Sequence, residues 1–500
     1  MMRCNWLYKV PQPCLCNNRK ETKRPTEIHD YRNPRCSTFP FSICLCASNM
    51  TPSLRNKKAA VDATTDDWNN LAYQVGWGNH FASEVLPGAL PQHMNNPQKC
   101  NYGLYCEQLS GTAFTLPRHS NQRTWLYRIL PPVVHAEYVN VTSGDVVTDF
   151  SKEHTTPQQL RWGPMALPAS SESVDFVQGL KTIGGAGDPT MKTGMAVHMY
   201  AANASMVDKC FYNSDGDFLV VPQEGSLRIL TEMGKLLVSP HEIVVLPRGI
   251  RFSIDVDGPV RGYVLEVYNR HFVIPDLGPI GANGLANPRD FEHPTAWYED
   301  RDCNYTVVTK FAGNMFAAHM TFSPFNVVAW HGNYVPYKYN LDHFCTMNSV
   351  NYDHPDPSIY TVLTCQTDEP GCAVADFVIF PPRWMVQEKT FRPPYYHRNH
   401  MTEFMGMVYG HYDAKTDDGF VPGGASLHSC HTAHGPDTET FLAASSADLK
   451  PVKFDGGLAF MFESTYIMKV TKYAMTCPQM DHDYYKCWQP LPKLFNPNKL

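Results

Sequence analysis

The middle of this 500-residue chain is a series of short apolar runs, each closed by a turn. Asn213-Ser-Asp-Gly-Asp217 reads as a turn, Phe218-Leu-Val-Val221 as a strand and Glu224-Gly225 as the next turn. Leu227-Arg-Ile-Leu230, Ile243-Val-Val-Leu246 and Arg251-Phe-Ser-Ile-Asp255 continue the series. Runs this short do not sustain helices, and strands recurring at roughly 8–12 residues with turn signals between them predict a sandwich or barrel. The 40 prolines and 26 tyrosines agree, since proline punctuates strands and tyrosine suits half-buried pleated surfaces. A second β-rich stretch holds Asn326-Val-Val-Ala-Trp330, Ser358–Thr364, Ala375–Phe380, Leu458–Phe462 and Tyr466–Val470. The expected class is mainly β, with a few short helices outside the sheets. The expected divisions are a non-native or disordered extension over 1–65, an N-terminal β domain over 66–320, a C-terminal domain over 321–490 and a tail over 491–500.

Composition excludes several functions. Net charge is −6 with a pI near 6.4, so there is no global basic field for nucleic acid. No apolar run reaches the ~18 residues of a membrane span. Six of the 16 cysteines lie in the first 50 residues, and the other ten are scattered without a C-x-x-C pair. Such cysteines read as small buried hydrophobes of a reducing compartment. The first 65 residues are basic and proline-punctuated, with no sustained period of 2 or 3.6. Gly278–Phe291 reads as a connector; its three glycines lack the Gly-Lys-Ser/Thr of a phosphate loop.

Chemistry concentrates near the C-terminal end. Six of the 21 histidines (397, 400, 411, 428, 431 and 434) fall within 38 residues, and Glu403 lies among them. Two imidazoles and one carboxylate occupy one face of an octahedral Fe(II) and leave the other face for substrate and dioxygen. His397 and Glu403 are six residues apart, about 20 Å on a flat strand. A helix brings them to about 9 Å of rise, but with poor angular agreement. Sharing an ion therefore requires a bend within Arg398-Asn-His-Met-Thr402, and Pro393-Pro394 just upstream forces extended backbone into it.

The pattern His397-x-Asn399-x3-Glu403-x6-Gly410 resembles the first metal motif of cupins, with Asn399 in place of the second histidine. Pro422-Gly-Gly424 leading to His428 resembles the second motif with one residue too many, which leaves His428, His431 and His434 in competition for the third ligand. Pro247-Arg-Gly249-Ile-Arg-Phe252 looks like a worn copy with Phe252 at a metal position. Two cupin-like β-jelly-roll units follow, the first without metal.

From about Trp77 to Pro490 the chain resembles the homogentisate 1,2-dioxygenase family. The matching stretches include Tyr105–Phe114, Trp125–Leu130, Cys210–Leu219, Asp276–Phe291, Pro324–Tyr334, Phe377–Trp384 and Thr390–Asn399. The resemblance implies iron ligands at His397, Glu403 and His434, a general base at His331 of Trp-His-Gly-Asn, and substrate contacts from Tyr412, His434 and His428. It implies Fe(II), homogentisate and O2 as partners, maleylacetoacetate as product, a cytoplasmic homohexamer (a dimer of trimers), and no nucleic-acid or membrane partner. Arg383 and Arg392 are candidates for the substrate carboxylate, although pinning loops or pairing buried acids is the reading favoured for both. His400, His411 and His431 read as solvated or structural.

Overall fold

The computed structural model describes residues 67–276, 284–347, 349–353, 360–415 and 419–499. Residues 1–65 and most of the Gly278–Asn287 stretch lie outside them. Strands dominate, and the helices among the described residues are short: Phe176–Gly179, Thr438–Ser446 and Lys472–Thr476. No described helix is long and apolar enough to cross a membrane.

The architecture is layered. A nine-stranded sheet lies in the middle and carries Glu242–Leu246, Asp217–Glu224, Val260–Val267, Thr193–Ala202 and Leu180–Asp188 side by side. A seven-stranded sheet includes Gly234–Val238, Leu227–Thr231, Phe252–Asp255 and Lys209–Asn213. The chain passes repeatedly from one to the other, the winding of a jelly roll. A six-stranded sheet is ordered Thr361–Gln366, Ala373–Phe380, Gly457–Ser464, Thr402–Gly410, Ala425–His428 and Leu160–Trp162.

Alternation of side chains explains why the central runs are apolar throughout. Phe218 and Val220 join a core with Leu227, Ile229, Phe252 and Ile254 of the seven-stranded sheet. Leu219 and Val221, pointing the other way, join a core with Phe404, Leu427 and Phe460 of the six-stranded sheet. A strand covered on both faces shows no polar alternation, only a continuous apolar run. The expected strand over 466–470 is shorter than its sequence implies. Only Lys469–Val470 pairs, with Gly184 and Gly185, and Ile467 is 62 % exposed.

Two strands tie the halves together. Tyr337–Asn340, beyond residue 320, pairs with Glu242–Leu246 and Phe291–Pro294. Leu160–Trp162 pairs with Ala425–Leu427 at the edge of the six-stranded sheet. In the first jelly roll Phe252 packs edge-on against Phe211 and Phe176, so a ring fills the place where the sequence motif would put a histidine. The same sandwich buries an ion cluster. Lys310 Nζ donates to Asp215 Oδ2 at 2.9 Å and Glu266 Oε1 at 2.7 Å, while His198 Nε2 meets Glu266 Oε2 at 3.1 Å. Burial alone would raise the Glu266 carboxyl, but Lys310 and His198 hold it down at about 2.

Candidate metal centre and its cavity

Glu403 opens the strand Thr402–Gly410, where Phe404 and Met407 are buried in the core. Its register partners are His428 on one side and Glu463 on the other. Two glutamates side by side on neighbouring strands would repel, and Asn399 bridges them. Its Nδ2 donates to Glu403 Oε1 at 2.8 Å and to Glu463 Oε1 at 2.6 Å. Its Oδ1 accepts from the Met401 backbone N–H at 2.9 Å, an Asx turn that supplies the bend between His397 and Glu403.

The third member arrives by a separate route. His397 and His434 form an isolated antiparallel bridge, each backbone N–H donating to the other's carbonyl at 2.9 and 3.1 Å. Their rings lie 4.2 Å apart, edge to face. His397 Nδ1 lies 2.7 Å from the Tyr395 carbonyl and His434 Nδ1 2.9 Å from the Thr432 carbonyl. A carbonyl only accepts, so both Nδ1 atoms carry the proton, and in the neutral rings both Nε2 atoms present lone pairs. Those lone pairs face one carboxylate: His434 Nε2 is 2.9 Å from Glu403 Oε2 and His397 Nε2 is 3.5 Å from Glu403 Oε1. One ligand atom from each residue falls within 4.8 Å of the others. Burial pushes the Glu403 carboxyl up, but hydrogen bonds and charge from His397 and His434, when those rings are protonated at Nε2, outweigh it and hold the group at about 2. With the rings neutral, two lone pairs and a negative charge converge on one point, an arrangement that a cation between them completes. Backbone carbonyls that fix the tautomer are the usual outer support of metal-binding imidazoles. The donor set fits a divalent ion.

These three residues line a cavity together with Phe380, Pro394, Met405, Tyr412, Lys415, His428 and Met461. Tyr412 packs between Phe380 and Phe420, and its hydroxyl has no hydrogen-bond partner among the described residues. Burial, with the Asp413 charge added, raises that phenol well above its ordinary range, so it stays protonated. His428 stacks on His434 at 4.0 Å and 9°, and its Nε2 meets the Tyr484 hydroxyl at 2.9 Å. Burial first, then the charge of His434, drives His428 well below 6.5, so the ring is neutral.

Within the single chain His331, expected as the general base, is not among the residues that line this cavity. It lies in the strand Val327–Gly332 of a different, four-stranded sheet. Its Nδ1 lies 3.0 Å from His80 Nε2, and its Nε2 is 3.3 Å from the Tyr127 hydroxyl. Arg383 pairs with Asp413 at 2.6 Å and donates to the Pro381 carbonyl. Arg392 donates to the carbonyls of Gln387 and Lys450. Both arginines hold loops. His400 and His431 lie 6.0 Å apart outside the cavity lining, and His411 packs on Phe454. Sequence reasoning missed Lys415 and Tyr484 as neighbours of the site and read Asn399 only as a lost ligand.

The sequence matches the family profiles "Homogentisate 1,2-dioxygenase N-terminal" over residues 72–341 and "Homogentisate 1,2-dioxygenase C-terminal" over residues 342–495. It is 58 % identical over 435 residues to homogentisate 1,2-dioxygenase of Mus musculus, covering 86 % of this chain and 98 % of the relative. The Arabidopsis thaliana enzyme of that name is 58 % identical over 434 residues, covering 85 % and 94 %. That of Dictyostelium discoideum is 58 % identical over 421 residues, covering 84 % and 96 %. With two profiles spanning most of its length and relatives this similar over nearly their whole length, the chain belongs to the homogentisate 1,2-dioxygenase family.

Proposed function

We propose that the chain cleaves the ring of homogentisate with O2, giving maleylacetoacetate, at a ferrous ion held by His397, Glu403 and His434. One observation carries the site assignment: two imidazoles with Nδ1 anchored to carbonyls turn both Nε2 lone pairs on one buried carboxylate. A two-histidine, one-carboxylate set is the donor pattern of non-haem Fe(II) oxygenases. Ferrous iron would supply the spin-allowed route by which a closed-shell phenol meets triplet dioxygen.

The chain's own groups do the rest. Asn399 holds Glu403 in place, and three protein ligands leave coordination room for both reactants. Tyr412 offers a protonated hydroxyl to substrate oxygen across the cavity. His428, neutral and stacked, keeps the plane of His434 and shapes the wall beside it. Phe380, Met405 and Met461 supply an apolar wall for the aromatic ring. The domain division of a metal-free first unit and a metal-binding second unit belongs to this reading, as do a cytoplasmic setting and a homohexamer built as a dimer of trimers. Light scattering at micromolar concentration tests the assembly.

The decisive experiment is anaerobic reconstitution with Fe(II), followed by oxygen uptake with homogentisate and, in parallel, gentisate. Uptake with homogentisate and formation of the maleylacetoacetate absorbance support the reading. Iron-loaded protein that consumes oxygen only with gentisate, or apoprotein as active as the loaded form, rejects it.

A further inference from the structure

An aromatic acid brings a carboxylate into the cavity, and a carboxylate leaving water needs a counter-charge. The arginines suggested by the sequence are already committed, Arg383 to Asp413 and Arg392 to backbone carbonyls. One cation does line the cavity: Lys415. We propose that the Lys415 ammonium receives the acetate carboxylate of the substrate and sets which way round the ring enters. This inference rests on the ring-cleavage reading above.

The surroundings of Lys415 are built to hold a charge without neutralising it. Its Nζ donates to the Tyr484 hydroxyl. It also lies 4.4 Å from the centre of the Tyr484 ring and 5.0 Å from that of Trp488. Aromatic faces attract an ammonium but carry no net charge. No carboxylate among the described residues lies within ion-pair distance of it. Tyr484 is itself fixed, buried beneath the Arg161 guanidinium, and its hydroxyl also meets His428 Nε2 at 2.9 Å. The ammonium therefore has a fixed seat and shares a cavity with the candidate metal centre. Burial draws its pKa down to about 8. A substrate held at the metal by a ring hydroxyl and at Lys415 by its acetate would be pinned at two points, which fixes the carbon that meets oxygen.

The test uses the full-length, iron-loaded protein with homogentisate and its neutral amide, 2,5-dihydroxyphenylacetamide. Lys415→Met removes the charge at similar volume, and Lys415→Arg keeps it. The expected result is a KM for the acid raised on the order of 10- to 100-fold in Lys415→Met, the range of one charge-assisted contact. The amide should be little affected, and Lys415→Arg should restore much of the preference for acid over amide. Anaerobic calorimetry should show the same loss of homogentisate binding without turnover. Wild-type protein that does not distinguish acid from amide overturns the proposal. So does a Lys415→Met variant that binds the acid within twofold of wild type, or one that loses acid and amide alike. Failure of the wild type to cleave homogentisate at all would reject the reaction assigned above, a separate outcome.

Discussion

Replacing Asn399 by Ala tests whether the site is held by its supporting amide. One amide nitrogen donates to Glu403 at 2.8 Å and to Glu463 at 2.6 Å, and the amide oxygen closes the turn at Met401. Hydrogen bonds to charged groups contribute about 1.5–3 kcal/mol each. Part of that acts on folding, because the loaded and metal-free forms both contain the bridge. What reaches the metal is the loss of orientation: Glu403 faces Glu463 with nothing between, and its Oε1 is free to swing away from His397. Loss of such an outer contact lowers metal affinity by roughly 10- to 100-fold, equivalent to about 1.4–2.7 kcal/mol. Anaerobic competition of Fe(II) against a coloured chelator measures it directly. We expect the Kd to rise by that factor and thermal stability to fall as the turn is lost. An Asn399→Ala protein that binds Fe(II) within twofold of wild type would refute the claim that this amide positions the ligand set.

Glu403→Gln should abolish oxygen uptake and weaken iron binding sharply, because it removes the charge that balances the ion; normal rates would remove Glu403 from the ligand set. Lys310→Met should destabilise the fold by about 3–5 kcal/mol, since Asp215 and Glu266 stay buried without their ammonium. Urea unfolding measures it, and adding Glu266→Gln should recover part of the loss. Burial, with the facing His80, holds the His331 pKa below its free value near 6.5. The unfolded chain therefore takes up the proton first, so this contribution to stability is present above about pH 6.5 and is lost as pH falls below it. His331→Gln should flatten the fall in urea midpoint between pH 7 and 5 while leaving Fe(II) affinity unchanged; an equal slope, or lost iron binding, would contradict the placement of His331.

What was legible in the sequence was whatever a single segment encodes. Phe218–Val221 announced a strand because four apolar side chains run between two turns. His397 and Glu403 stood out because a bend between them and six histidines fall within 38 residues, but only the family resemblance chose His434 over His428 and His431. What stayed hidden was convergence between distant segments. Lys415 meets Tyr484 from 69 residues away, and Asn399 reaches Glu463 from 64. Neither pairing leaves a periodic or local mark. The contact of His331 with His80, 251 residues earlier in the chain, is likewise unmarked in the sequence.

The doubly covered middle sheet has a consequence for how this molecule can be divided. The two family profiles meet at residues 341 and 342, as though each described a separable module. A polypeptide cut there would leave Leu219, Val221 and Val245 facing water on one fragment and Phe404 and Phe460 on the other, with the Leu160–Trp162 edge missing from the latter. Neither piece is expected to remain soluble alone, and co-expressed pieces should be recovered only together. Substitutions in the first part of the chain that disturb this shared core should then weaken the candidate metal site, whose three residues all lie in the second.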